Sequence, residues 1–256
     1  MRRVEDIWGT AVGIEVRDDA PAGVLNDVFA WFERVDELFS TWRDDSEIVC
    51  MARGGLAIAD ASAETRTVLD LCHRLSAATS GAFDVSATAL LPPPHPPGWC
   101  PLDPSALVKG WALDRAGELL VAAGALRFCM NAGGDVLVGR GPEPDEAWRV
   151  GIQHPGAPGS LAAVVAVTGA GVATSGRYER GNHIVDPRSG LPATGLASAT
   201  VIAPTLAVAD AYSTAVVALG LDGLVWLRAH PEVVAMAITD DGRVFSTYGF
   251  DRRRTS

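Results

Sequence analysis

Asp210 and Thr214 stand four residues apart in VADAYSTAVVALG (208–220), a spacing that puts a carboxylate and a hydroxyl on one side of a helix. Two oxygens so placed can ligate a hard cation such as magnesium, which takes its other oxygens from phosphate and water. The plain alternative is that Asp210 only complements the positive end of the helix while Thr214 packs. Lys109 lies among apolar neighbours in DPSALVKGWALD (103–114), so its ammonium must reach out to solvent or meet an anion such as phosphate. Asp103 and Pro104 suit the first turn of a helix whose free amides can face that anion. Asn131-Ala132-Gly133-Gly134-Asp135 allows a tight turn and close backbone approach, but is no dinucleotide fingerprint. His183 and Asp186 share the polar stretch GNHIVDPRSGLP (181–192), where a histidine can act as a base or simply bond to backbone. Trp42, in FSTWRDDSEI (39–48), is either a stacking platform for a flat ring or a core aromatic.

These residues need elements to hold them. Residues 8–16 read as a strand. Leu25, Val28, Phe29, Phe32, Val35 and Leu38 recur at helical spacing across 22–39. Ser62 and Glu64 open a second amphipathic helix over 62–79, which carries Val68, Leu69, Leu71, Cys72 and Leu75. Further helices are expected over 105–123 and, as one long element, from about 206 to 229. FCMNAGGDVLVG (128–139) predicts a strand interrupted by a glycine turn, and other strands fall near 148–154, 161–168 and 198–203. VAMAITDDGRVFST predicts a hairpin turning at Asp241-Gly242. LLPPPHPPGWCP (90–101) is too short and too apolar for a disordered linker and reads as a rigid surface loop or lid. Strands and helices interleave irregularly without an internal repeat, which predicts an α+β fold.

The chain has 256 residues, 48% of them hydrophobic and 20% charged, enough to bury a core. A net charge of −10 argues against a nucleic-acid partner, which needs a basic face to release phosphate counterions. Cys50, Cys72, Cys100 and Cys129 match no zinc spacing and read as scattered, partly buried thiols of a reducing compartment. No apolar run reaches the roughly 20 residues that span a bilayer. The amino terminus shows no apolar segment of a signal peptide, so no membrane span and a cytoplasmic location are expected.

Taken in order, the motifs resemble the ApbE family of FAD:protein FMN transferases along nearly the whole chain. The matching stretches are WGTAVGIEV (8–16), FSTWRDDSEI (39–48), GAFDVSA (81–87), DPSALVKGWALD (103–114), MNAGGDVLV (130–138), TSGRYER (174–180), HIVDPRSGLP (183–192) and VADAYSTAVVALG (208–220). The resemblance implies a single α+β domain over residues 1–256, with mixed sheets, flanking helices and a flavin cleft between two subdomains. It implies a flavin site of Trp8, Trp42, Ala82, Phe83, Asp84, Asp103, Lys109, His183 and Ile184. The implied magnesium site is the backbone oxygen of Ala106 with the side chains of Asp210 and Thr214. Trp8 stands where many relatives have methionine, and Pro104 where leucine is commoner. The usual leader or lipid anchor is absent, a departure that speaks against an exported acceptor protein.

The implied chemistry starts from FAD as a pyrophosphate diester, whose cleavage needs charge neutralisation on its oxygens and an in-line nucleophile. The nucleophile would be a threonine hydroxyl of a flavin-accepting protein, leaving AMP and phosphoester-linked FMN. A base must take the hydroxyl proton, and His183 is the first candidate. Asp210 is the second, and a poorer one if it holds a metal. With water as nucleophile the same site would be a magnesium-dependent FAD pyrophosphatase, and without cleavage the chain would be a non-catalytic FAD-binding protein. A purely structural interaction module would leave the lysine and polar-loop motifs unexplained.

Overall fold

Every second residue from Val12 to Val16 is fully buried, the alternation expected of a strand with one face on a core. The computed structural model describes residues 1–90, 93, 95, 97–177 and 184–255. Its order runs β1 (Arg2–Ile7), β2 (Thr10–Val16), α1 (Val24–Phe39), α2 (Glu47–Ala52), α3 (Ala63–Ala78) and α4 (Ser105–Ala122). Then come β3 (Phe128–Ala132), β4 (Asp135–Val138), β5 (Trp148–Gln153), β6 (Leu161–Val167), β7 (Ala170–Gly176), β8 (Val185–Asp186), β9 (Leu191–Pro192) and β10 (Leu196–Ala203). The last elements are α5 (Leu206–Leu219), α6 (Leu221–Trp226), β11 (Val234–Thr239) and β12 (Val244–Ser246). The fold is α+β, as the irregular interleaving predicts.

Eight strands form one antiparallel sheet in the order β1-β2-β3-β4-β7-β10-β11-β12. Alternation along its strands divides the buried residues between two faces. Ile14, Met130, Leu137, Val201 and Ala235 join the core under α1, α4 and α5. Val136, Val138, Ile202, Val234 and Met236 join a second core, closed by the β5–β6 hairpin. Helices α4 and α5 pack on each other, and α5 lies on β7 and β10. Among the described residues no helix is long and apolar enough to cross a membrane.

Most predicted elements stand within a residue or two. Ser62 caps α3 by accepting the Thr65 amide, but its own amide and hydroxyl bond to Glu47 of α2, so the partner of the capping serine comes from another helix rather than from Glu64. Two expectations are corrected. The strand at 8–16 begins only at Thr10, because Trp8 and Gly9 form the turn from β1. The long helix over 206–229 breaks at Gly220, whose φ of 65° suits a helix end rather than an interior. Of the two readings of Trp42, the core one falls, since the side chain is 74% exposed. The four cysteines are all free.

Candidate functional site

One end of the large sheet gathers the polar residues. The β1–β2 turn is Trp8-Gly9, with φ of 57° and 70°, the backbone of a two-residue hairpin turn. A bulky residue is rarely left-handed, and strain of this kind concentrates at functional positions. The Trp8 indole packs edge-on against Phe32 of α1 at 5.2 Å, with its Nε1 buried and unpartnered among the described residues. Next along the sheet is the Gly133-Gly134 turn, with φ of 58° and 96°. A Cβ on Gly133 would lie 2.9 Å from the Thr10 hydroxyl, so the two turns sit side by side.

Behind that turn lies a buried charge cluster. Asp135 opens β4 and is 2% exposed; its Oδ1 accepts the Thr174 amide of β7 at 3.0 Å. Its Oδ2 pairs with the ammonium of Lys109 on α4. Asp210 on α5 is 5% exposed and lies beside the Gly110 backbone of α4, while its Oδ2 has no hydrogen-bond partner among the described residues. Burial, reinforced by the Asp135 charge, pushes the Asp210 carboxyl well above the usual carboxylate range, against the pull of Lys109 and the Gly110 amide. One turn along, the Thr214 hydroxyl lies 3.0 Å from Ser175 Oγ of β7.

Close backbone contacts hold this arrangement. A Cβ on Gly171 of β7 would lie 2.4 Å from Leu206 Cα, so only glycine lets α5 sit so near the sheet. Asp114, one turn beyond Gly110 on α4, accepts the amides of Leu206 and Ala207 at 2.8 and 2.9 Å, satisfying two of the free donors that begin α5. In an α-helix the Gly110 amide is the partner of the Ala106 carbonyl. The Ala106 oxygen therefore lies on the stretch of α4 that Asp210 approaches.

A second set of predicted residues surrounds the start of α4. Ala82 and Phe83 are buried, and Phe83 donates its amide to Thr79. Asp84 folds back on Ser86, accepting its amide and hydroxyl at 2.8 and 2.6 Å. The Asp103 amide bonds to the Val85 carbonyl at 2.8 Å, and its carboxylate accepts the Ser105 amide. Ile184 is buried beside β8, which packs against residues 87–90. Trp42 meets the proline-rich segment through Gly98, where a Cβ would come 2.4 Å from the indole. That segment is tied at its base by Thr88 and Trp99, which bond to the carbonyls of Cys100 and Thr88.

The structure thus brings Lys109 close to Asp210, with Thr214 one turn along α5 and Ala106 one turn before Gly110 on α4; Asp103 bonds to Val85, next after Ala82–Asp84, just before the same helix. His183 lies outside the described residues. Asp186, in the same polar stretch, accepts two guanidinium bonds of 2.8 Å from Arg188. Asp135 and Ser175 are the site residues that sequence reasoning did not single out. Both sit inside quoted motifs, and the signal for Asp135 is a carboxylate straight after a Gly-Gly turn. Among the described residues no three His, Cys, Asp or Glu side chains gather around a metal position. The donors here are one carboxylate, one hydroxyl and one carbonyl. Two clefts, about 560 Å³ beside Arg127 and Arg140 and about 380 Å³ beside His154 and Arg177, include none of these residues. Chemistry rather than size marks the site.

Comparison with known proteins agrees with this frame. The family model described as "ApbE family" matches residues 8–92 and 96–238. A FAD:protein FMN transferase of Klebsiella pneumoniae is 27% identical over 295 aligned residues, covering 93% of this chain and 83% of that protein. One of Rhodobacter capsulatus is 39% identical over 155 residues, 57% of this chain and 29% of the relative. One of Escherichia coli is 34% identical over 158 residues, 57% of this chain and 45% of the relative. The match therefore spans less than half the length of these last two. Among solved structures, the ApbE protein of Thermotoga maritima superposes with a TM-score of 0.88 at 21% identity, covering 100% of this chain and 99% of that one. The flavin transferase ApbE of Vibrio cholerae gives 0.84 at 21% identity, over 99% and 98%. With a family model spanning nearly the whole sheet and helix framework, the chain belongs to the ApbE family.

Proposed function

We propose that the chain is a magnesium-dependent flavin transferase that splits FAD and passes its FMN half to a threonine hydroxyl of an acceptor protein, releasing AMP. The observation that carries the reading is the buried Oδ2 of Asp210, unpartnered among the described residues and one helical turn from Thr214. An orphaned carboxylate oxygen in a buried site is costly unless a cation meets it. The donor set suits magnesium, which favours hard oxygens and keeps room for phosphate and water. Asp210, Thr214 and the Ala106 carbonyl would hold the ion, and when bound it would neutralise charge on the phosphoryl oxygens.

Lys109 brings a second positive charge to the pyrophosphate, with Asp135 fixing its ammonium. Trp8, Trp42, Ala82, Phe83, Asp84, Asp103 and Ile184 would border the flavin, between the sheet end and the segment leading into α4. The unpartnered Trp8 N–H suits a polar ligand atom. His183 is the first candidate to take the proton from the attacking hydroxyl. The proposal treats residues 1–256 as one working domain, because the large sheet draws strands from both ends of the chain.

The test is incubation with FAD, magnesium and a candidate acceptor protein, with AMP release and in-gel flavin fluorescence as readouts. AMP together with a fluorescent acceptor band is the expected outcome. AMP without labelling of any acceptor would make the chain an FAD pyrophosphatase, and no AMP with tight FAD binding would make it a binding protein.

A further inference from the structure

The hydroxyl groups beside Asp210 have a direction that their partners determine. Ser213 Oγ lies 2.9 Å from the Asp210 carbonyl oxygen. A carbonyl can only accept, so Ser213 spends its one proton there. Ser175 Oγ lies 2.7 Å from Ser213 Oγ, so Ser175 must be the donor in that contact. With that proton used, the 3.0 Å contact between Ser175 and Thr214 leaves Thr214 as donor and Ser175 as acceptor. The Thr214 proton is thereby turned toward β7, and the Thr214 oxygen keeps lone pairs for another partner.

We infer that Ser175 is a positioning residue that makes Thr214 an oxygen ligand, by accepting its proton at the end of the Ser213–Ser175–Thr214 chain. Such a role resembles that of groups behind the ligands of metal sites, whose loss commonly weakens metal affinity by about 10–100-fold. Four hydroxyl-bearing residues lie here, Thr174 and Ser175 on β7 with Ser213 and Thr214 on α5. Thr174 is turned away and pairs with Thr200 of β10 at 2.9 Å. Ser175 alone of the two β7 residues reaches α5. The chain is therefore a specific link between strand and helix, and not a generally polar patch.

The inference rests on Thr214 and Asp210 being metal ligands, and the experiment separates the two claims. Mn2+ alone is titrated into the purified protein, with free Mn2+ followed by electron paramagnetic resonance and folding checked by thermal unfolding. Asp210→Asn and Thr214→Val should both weaken Mn2+ binding. Ser175→Ala should weaken it by about 10–100-fold, and Ser175→Thr should restore it by returning the acceptor oxygen. Ser213→Ala, a substitution that a helix interior tolerates well, should weaken it less, since it frees Ser175 to donate to Thr214. Wild-type affinity in Ser175→Ala and Ser213→Ala, with the ligand variants impaired, overturns the role of Ser175 and leaves the metal site standing. Equal loss in Ser175→Ala and Ser175→Thr also overturns it, because the hydroxyl would not be the cause. Unchanged affinity in Asp210→Asn and Thr214→Val, or no binding by the wild type, removes the metal site and the inference together.

Discussion

Gly110 and Leu206 meet backbone to backbone: a Cβ on Gly110 would lie 2.6 Å from the Leu206 carbonyl oxygen. The same glycine lies beside the Asp210 carboxyl, so the contact that packs α4 on α5 also places the carboxylate of the proposed metal site. Gly110→Ala should therefore push the helices apart. The expected cost is about 1–3 kcal/mol, typical of an overpacked core, read as a lower Tm, with flavin transfer falling further than stability alone explains. An unchanged Tm would mean that the helices can part freely.

Asp114 ties the same two helices through the amides of Leu206 and Ala207. Burial pushes its carboxyl up from 3.8 to about 6, more than its two amide donors pull it down. A folded value above the unfolded one means that its stabilising contribution is complete below about 3.8 and is lost as pH rises through about 6. The stability of the wild type relative to Asp114→Asn should therefore decline between those values by roughly 3 kcal/mol. Chemical denaturation of both proteins across that range measures it, and a constant difference would contradict the burial argument.

Asp210→Asn keeps the shape of the side chain but removes the charge. Its Tm should match or exceed that of the wild type, because an uncompensated buried carboxylate is itself a cost. AMP release from FAD should be lost. A fully active Asp210→Asn protein would sink the metal assignment.

The cysteines offer a check on the fold that is independent of function. Burial pushes the Cys72 thiol up to about 12 and the Cys129 thiol up to about 11, and Cys100 is raised as well. Thiolate is the reactive form. Iodoacetamide at pH 8 should accordingly label half-exposed Cys50 first in the native protein, and all four after denaturation. Mass spectrometry of timed samples reads the order, and early labelling of Cys72 would mean that α3 opens readily.

Apolar periodicity made the large helices legible, because Val28, Phe32 and Val35 bury one face of α1. It failed for β7, whose AGVATSG sequence is too rich in small residues to read as a strand. Those small residues are there because α5 lies almost on the strand at Gly171. Strand β1 was also missed, since its half-exposed RRVEDI shows little apolar signal. At the site, Asp210 and Thr214 were legible from helical spacing. The bonds of Asp135 to Lys109 and Thr174 were not, because they join residues far apart in sequence. Lys109, which from sequence reads more readily as a solvated lysine, is held by that buried carboxylate.

The two-residue turn at Trp8-Gly9 makes the length of the first hairpin as important as its composition. Pairing runs without interruption from Arg2 opposite Glu15 to Ile7 opposite Thr10, and Arg3, Glu5 and Ile7 are the half-buried residues of β1. Substitutions along this strand change one contact at a time. A single inserted residue would reverse the alternation of the whole strand. Arg2, Val4 and Asp6 would then face inward, Arg3 would leave the Phe29 ring that it covers at 4.5 Å, and the indole of Trp8 would come away from Phe32. Variants of this hairpin that keep the site should therefore differ in residue identity and not in residue count.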